Sequence, residues 1–329
     1  MTAAEPMRWG LLGTANIARS AFLPALRQAG GAASAVAGRD AARTSQYAAA
    51  NGIESAITSY QALLDDPAID AVYIPLPNAL HAEWTIKALQ AGKAVLCEKP
   101  LCGVLADTER VLTAAKDTGT FLWEAFVFPF HPQLRQISEL IADGAIGDLM
   151  EIKSNFHFPL RSATNIRLSR ELEGGALLDV GCYPVRLAQE LFGPEYTGAW
   201  ARAVMGGDGV DVDTWGVLDY AGGRRLMLSC GLGRSYDTAS SLEGTSGRIT
   251  VTNPFHPGPG DYYTVEAGRT KTQTMAAEPG EMSFTAAIRH IDAVVRGEEP
   301  PRHLATETSL PTARALDDLA RSFLAGADS

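Results

Sequence analysis

Short apolar runs alternate with amphipathic stretches along the first third of the chain. Met7 to Leu12 is an apolar run that ends in a glycine turn, and an amphipathic stretch from about Ile17 to Ala29 follows. Ala32 to Ala37 is the next strand, then a helical pattern to about Ala50. Asp70 to Ile74 reads as a buried strand stopped by Pro75 and Pro77, with Asn78 placed to cap the helix that runs to about Ala91. Gly92 ends that helix. Ala94 to Cys97 is another strand, Leu105 to Lys116 a helix and Thr120 to Ala125 a strand. Strands alternating with helices of roughly ten to fifteen residues predict βαβ units and a parallel, doubly wound sheet. The alternation stops near residue 125.

A different regime follows the Pro-rich stretch Phe128-Pro129-Phe130-His131-Pro132. A helix is predicted over about Gln133 to Asp143, a strand over Asp148 to Phe158, and a helix over about Ala176 to Leu191. Strand-like runs then recur near 197–205, 212–220, 224–232, 237–243 and 247–252, several separated by Gly-Asp, Gly-Gly or Ser-Gly turns. That spacing is the signature of an antiparallel sheet. Two helical patterns, about Phe284 to Arg296 and Thr306 to Leu324, close the chain. The expected fold class is α/β. Residues 1–125 form a dinucleotide-binding domain, and residues 126–329 form an α+β domain on one broad, mostly antiparallel sheet. The last helices are free to pack back on the first domain.

Composition narrows the function classes. Hydrophobic content is 46% and charged content 20% over 329 residues, normal for a chain that buries a sizeable core. The net charge of −10 argues against nucleic acid or an anionic membrane as the main partner, and no basic run offsets it. No apolar stretch is long enough to span a bilayer, and Met1-Thr2-Ala3-Ala4-Glu5-Pro6 has neither a basic segment nor an apolar signal core. Cys97, Cys102, Cys182 and Cys230 are scattered without a C-x-x-C pair, which fits reduced thiols in the cytoplasm. The six histidines show no metal-ligand spacing.

Candidate chemistry sits in three segments. Gly13-Thr14-Ala15-Asn16-Ile17-Ala18 follows the first strand and opens the first helix, where a pyrophosphate meets backbone N–H groups and the positive end of a helix dipole. The pattern departs from G-x-G-x-x-G/A because Ala15 takes the place of the second glycine, which requires a negative φ there or a shifted phosphate. The second strand ends in Val36-Ala37-Gly38-Arg39, where an NAD site usually carries an acid and an NADP site an arginine. Arg39, with Arg43 one turn later, favours NADP over NAD, while Asp40 is a rival acceptor for a ribose hydroxyl. The second segment, Val95-Leu96-Cys97-Glu98-Lys99-Pro100, puts a lysine at the end of an apolar strand, where burial is costly without a function. Glu98 alternates to the other side and reads as structural. In the third segment, Asp179 and Tyr183 are spaced i, i+4 and so share one helix face.

In these motifs the chain resembles the Gfo/Idh/MocA oxidoreductases, which include glucose–fructose oxidoreductase and inositol dehydrogenase. The resemblance runs from Gly13–Ala18 through Pro77-Asn78-x-x-His81, Glu98-Lys99-Pro100 and Glu124-Ala125-Phe126 to Gly174-Gly175-Ala176-Leu177-Leu178-Asp179-Val180-Gly181-Cys182-Tyr183. Tyr183, where inositol dehydrogenases carry histidine, is similar to the dihydrodiol dehydrogenase, D-xylose dehydrogenase and glucose–fructose oxidoreductase branch. Sugar 3-ketoreductases also carry this tyrosine and look similar around Asn165-Ile166-Arg167. Pro129 stands where many relatives have an arginine, so substrate contacts of that arginine do not carry over.

The resemblance implies an N-terminal Rossmann domain and hydride transfer between NADP, or NAD, and a carbohydrate, sugar derivative or vicinal diol. Gly13, Thr14, Ala15, Asn16, Ile17, Arg39, Pro75, Leu76, Asn78, His81, Glu98 and Lys99 then make up the cofactor site. Lys99 is the catalytic lysine beside a cis Pro100, Tyr183 the general acid/base and Asp179 an acceptor for a substrate hydroxyl. Arg167 joins Lys99, Asp179 and Tyr183 on the substrate side, and His81 either orients backbone or touches ligand. A tyrosine near pKa 10 is a poor base at neutral pH, but a cation about 4 Å away at an effective dielectric near 20 is worth roughly 4 kcal/mol before desolvation opposes it. The rival readings are a 3-ketoreductase of nucleotide-linked deoxysugars and a catalytically silent cofactor-binding sensor. The broad sheet, with helices enough for one face, predicts a homodimer or homotetramer.

Overall fold

The structure, a computed structural model, describes residues 7–162, 164–258, 260–275 and 282–325. The segment Met1–Pro6, read above for a leader, lies outside the described residues. The helices are α1 (Leu23–Gln28), α2 (Ala41–Asn51), α3 (Tyr60–Leu64), α4 (His81–Gln90), α5 (Leu105–Thr118), α6 (Pro132–Ala142), α7 (Cys182–Phe192), α8 (Ser283–Val295) and α9 (Ala305–Ala325). The chain divides into two compact units. One holds the residues up to Cys102, Ala106–Ala125 and Phe284–Ser309; the other holds Gly103–Leu105, Phe126–Ser283 and the chain from Leu310 onward.

In the first unit, β1 (Arg8–Leu12), β2 (Ala32–Ala37), β3 (Ser55–Ile57), β4 (Ala71–Ile74), β5 (Ala94–Cys97) and β6 (Leu122–Glu124) form one sheet in the order β3-β2-β1-β4-β5-β6. Every pairing is parallel. The order reverses between β1 and β4, and open α/β sheets take ligands beyond the carboxyl ends of the strands at that point. All residues of β4 and β5 are buried, which is why both read as unbroken apolar runs. Phe22 stacks on Tyr73 with centroids 4.2 Å apart, and Phe284 of α8 meets both rings edge-on. Helix α8 therefore belongs to this unit, although its sequence lies far beyond residue 125.

In the second unit, β7 (Leu149–His157), β8 (Tyr196–Met205), β9 (Asp211–Tyr220), β10 (Arg225–Gly231), β11 (Ser240–Gly244), β12 (Gly247–Val251), β13 (Tyr262–Ala267) and β14 (Thr270–Met275) form a sheet ordered β14-β13-β12-β11-β7-β10-β9-β8. Only the β7–β10 pairing is parallel. One face carries Ile152, Leu218, Leu226, Leu228 and Leu242 into a core shared with α6, α7 and the later turns of α9. The opposite face shows Trp200, Trp215 and Met227 to solvent.

Four sequence expectations change. Strand β3 and helix α3 were not read, because β3 is three residues of which two are exposed, and α3 is too short to show a period. The β13–β14 hairpin was also missed, since β14 is a polar edge strand exposed along most of its length. Asn78 opens a short 3₁₀ turn, so the N-cap position of α4 falls on Leu80, whose apolar side chain cannot cap it. Finally, the helices at Ile17 and Ala176 are not regular, because Ala18–Phe22 and Leu177–Gly181 are π-helical turns. Such turns recur at functional sites.

Candidate active site

The turn after β1 is set by Gly13, whose φ of 106° favours glycine. A Cβ there would sit 3.0 Å from Leu76 Cδ2, so the missing side chain keeps the turn close to the end of β4. Gly13 N donates to Ala37 O at 2.8 Å, joining the ends of β1 and β2. Among the described non-glycine residues only Glu173 and His303 have positive φ, so Ala15 meets the condition its methyl imposes. Tyr47 donates its hydroxyl to Ala15 O at 3.1 Å, and Arg43 reaches Thr14 O at 3.5 Å. Arg19 holds Asn16 Oδ1 at 2.6 Å.

Asp40 is the N-cap of α2, its Oδ1 accepting from Arg43 N at 2.9 Å. The rival acceptor for a ribose hydroxyl is thus engaged in starting a helix, while Arg39 is exposed beside it. Burial raises the Tyr60 phenol above its ordinary pKa, and the charges of Arg39 and Arg43 oppose that rise. Arg43 thus lies against the turn that follows β1, and Arg39 and Arg43 both carry positive charge near Tyr60.

Pro75, Leu76 and Asn78 follow β4, with the first two buried and Asn78 partly exposed. His81 is fully buried, its Nε2 2.8 Å from Leu76 O and its Nδ1 2.9 Å from Pro100 O. Burial holds its pKa below the ordinary histidine value. Both ring nitrogens thus face backbone carbonyls, one following β4 and one following β5, and the neutral ring donates to one of them. The Lys99–Pro100 peptide is cis. Lys99 is partly buried at the end of β5. Glu98 accepts from the Tyr73 hydroxyl at 2.5 Å and from Lys99 N at 3.2 Å. Glu124, unread as functional, takes Leu101 N at 2.7 Å and the Ser309 hydroxyl at 2.5 Å, fixing the chain just past the lysine.

The second unit holds Arg167, Asp179 and Tyr183. Gly174 is required because a Cβ there would come within 2.4 Å of Arg167 O, and Gly175, at φ 123°, donates to that same oxygen. The pair locks the 3₁₀ turn Ile166–Leu168 against the start of the next helix. Arg167 Nε donates to Asp179 Oδ2 at 2.5 Å, and its guanidinium lies 5.5 Å over the Phe158 ring. Asp211 was missed by sequence reasoning. It is buried, accepts from Leu177 N at 2.7 Å and caps the helix that carries Asp179, and burial raises its pKa.

Tyr183 is buried among Phe126, Phe128, Phe156 and Phe255, and its hydroxyl meets His256 Nε2 at 3.3 Å. The π turn adds a residue between Gly175 and Tyr183, so Asp179 pairs back to Arg167 while Tyr183 reaches His256. The twelve residues that the sequence assigns to the cofactor all lie in the first unit. Arg167, Asp179 and Tyr183 lie in the second. His256 had no local signal, since its only neighbour of note in sequence is Asn253 in a Pro-rich loop.

Comparison with known proteins gives the class. Residues 7–126 match the GFO/IDH/MocA oxidoreductase family with its NAD-binding Rossmann fold, and residues 134–250 match the GFO/IDH/MocA C-terminal domain. The chain belongs to this family and is an NAD(P)-dependent dehydrogenase or reductase. It is 36% identical to D-xylose 1-dehydrogenase (NADP(+)) 2 of Haloferax volcanii over 98% of each chain. It is 34% identical to dTDP-3,4-didehydro-2,6-dideoxy-alpha-D-glucose 3-reductase of Actinomadura kijaniata over 95% of each. The crystal structure of KijD10, a 3-ketoreductase from Actinomadura kijaniata in complex with NADP and TDP-benzene, superposes with a TM-score of 0.88 at 33% identity, covering 97% of this chain and 98% of that one.

Proposed function

We propose that the protein is an NADP-preferring oxidoreductase acting on a hydroxyl-bearing carbon of a carbohydrate, sugar derivative or vicinal diol. The observation that carries the reading is Lys99, a partly buried cation at the carboxyl end of β5, in a sheet whose order places ligands at that edge. The residues up to 125, joined by α8, hold the dinucleotide; those from 126 onward bind substrate. Gly13, Thr14, Ala15, Asn16 and Ile17 present the turn and backbone N–H groups to its phosphates, and Arg39 neutralises an added phosphate. Pro75, Leu76, Asn78 and Glu98 shape the crevice, and His81 fixes its walls. When bound, the nicotinamide accepts or donates the hydride. Tyr183 moves the hydroxyl proton, Lys99 serves as the catalytic lysine, and Asp179 with Arg167 holds a neighbouring substrate oxygen.

Four free, buried cysteines support a cytoplasmic setting. The exposed Trp200, Trp215 and Met227 support assembly as a homodimer or homotetramer. A second reading, reduction of a 3-keto nucleotide-linked sugar, is favoured by the likeness to KijD10 over nearly its whole length. The presence of both Lys99 and Tyr183 speaks against a silent sensor. The test is a panel of aldoses, diols and nucleotide-linked keto-sugars followed by the absorbance of reduced nicotinamide. Turnover of aldoses or diols supports the first reading and turnover of the keto-sugars alone the second; no turnover with any of them overturns both.

A further inference from the structure

Tyr183 has a problem that its burial creates. A phenol that takes a proton from an alcohol must lose it to solvent before the next turnover, yet the residue is only 6% exposed and ringed by phenylalanines. A polar side chain at its hydroxyl is that of His256, whose Nε2 lies 3.3 Å away and whose residue is exposed. A histidine with an ordinary pKa near 6.5 accepts and releases protons at neutral pH, which a phenol near 10 does not.

His256 is also held in place. Its N–H donates to Asn253 Oδ1 at 3.0 Å, and its carbonyl accepts from Asn253 Nδ2 at 2.7 Å. Asn253 is tied in turn to Asp261 Oδ2 at 3.2 Å and, through its carbonyl, to Gln133 Nε2 of α6 at 3.0 Å. Phe255, the preceding residue, is fully buried and stacks on Phe156 of β7 with an interplanar angle of 2°. The imidazole meets the edges of Phe156 and Tyr183 at centroid distances of 6.1 and 5.3 Å. Tyr183 faces it from α7, and Asp261 at the foot of β13 is the charged group that ties its loop.

We propose that His256 is a positioning and proton-relay residue for Tyr183, carrying the proton between the buried phenol and solvent. The idea rests on Tyr183 being the acid/base of the reaction. In alcohol oxidation the Tyr183 O–H bond breaks as its proton passes to His256 Nε2, and the imidazolium then gives one proton to water. The phenolate takes the substrate hydroxyl proton, so one proton leaves for each hydride carried off by the nicotinamide. In reduction every transfer runs in reverse. A 3.3 Å contact suits this use, because catalytic hydrogen bonds are often long before substrate binds.

Two variants separate relay from packing. His256→Gln keeps a hydrogen-bonding group beside the phenol but carries no proton; His256→Ala leaves a gap open to added imidazole. Both are expected to lose about tenfold or more in kcat, with dinucleotide affinity unchanged. Imidazole should restore His256→Ala in proportion to its free-base form, and the pH profile of kcat should differ from the wild type in both variants. Without dinucleotide or substrate, Tyr183→Phe should move the His256 titration followed by NMR. A His256→Gln enzyme with wild-type kcat and pH profile, or His256→Ala that imidazole does not rescue, overturns the relay. If Tyr183→Phe itself keeps normal turnover, the underlying acid/base assignment fails instead.

Discussion

Arg167 Nε donates to Asp179 Oδ2 at 2.5 Å, joining a 3₁₀ turn to a π turn in the second unit. The arginine side chain is 37% exposed and the aspartate 13%, so the carboxylate is the more sheltered member of the pair. Gly174 and Gly175 lock the turn that carries the arginine.

The first prediction follows from that pair. Asp179→Asn and Arg167→Met should each raise KM for substrate by about tenfold or more while leaving dinucleotide affinity unchanged. Because the two groups serve one contact, the double variant should be little worse than the worse single. Steady-state kinetics on the four proteins checks this. Strictly additive losses would show that the residues act on substrate independently.

Dinucleotide choice is the second. Asp40 spends its Oδ1 on the start of α2, and Arg39 and Arg43 both lie close enough to oppose the burial of the Tyr60 phenol. Arg39→Ala should weaken NADP(H) binding by about tenfold and leave NAD(H) nearly unchanged, since each charge-assisted contact with a phosphate is worth roughly 1.5–3 kcal/mol. Quenching of intrinsic tryptophan fluorescence in titrations with both dinucleotides reads the difference. Equal wild-type affinities for the two, or an unaltered NADP affinity in the variant, would remove Arg39 from the site.

Much of this was legible in the chain because the signals are local. The fully buried β4 and β5 read as apolar runs, and the glycine turn and the lysine at the strand end sit at sequence positions tied to sheet topology. What escaped reading depends on contacts across the chain or on polar edges. Asp211 caps a helix thirty-four residues away, and His256 meets a tyrosine seventy-three residues away, so neither has a periodic neighbour to betray it. Strand β14 is too polar to alternate. The i, i+4 reading of Asp179 and Tyr183 assumed a regular helix, whereas Leu177–Gly181 is a π turn that no local sequence period announces.

Assembly is the third prediction. Trp200 and Val217 are directly paired across β8 and β9, as are Val217 and Met227 across β9 and β10, so Trp200, Met227 and Trp215 share one sheet face. Their exposures are 48%, 42% and 42%. At about 25 cal/mol per Å² of apolar surface, covering such a face strongly favours self-association. Sedimentation at micromolar concentration should show a dimer or tetramer, and Trp215→Glu should shift it toward a 35.0 kDa species. A wild-type protein sedimenting only at that mass would count against the proposal.

The last prediction concerns stability. Asp292 of α8 is only 5% exposed, and its Oδ1 makes no hydrogen bond of ordinary geometry, although the Trp9 indole N–H lies near enough to hold its carboxyl down a little. Burial pushes its carboxyl up to about 6, and the Arg296 guanidinium 3.5 Å away offsets this only in part. An unfolded aspartate titrates near 3.9, so between about pH 4 and pH 6 the native state holds a proton that the unfolded chain has lost. The proton's contribution is therefore fully present below about pH 4 and is lost as pH rises through about 6, beyond which the fold must bury a charge. The difference amounts to at most ~3 kcal/mol. Asp292→Asn removes the titration, and it should match the wild type near pH 4 and exceed it in urea midpoint near pH 7.5. Unfolding of the dinucleotide-free proteins at several pH values measures the gap between the two curves. A gap that stays constant from about pH 4 to pH 7.5 would mean that Asp292 titrates alike in the folded and unfolded chains.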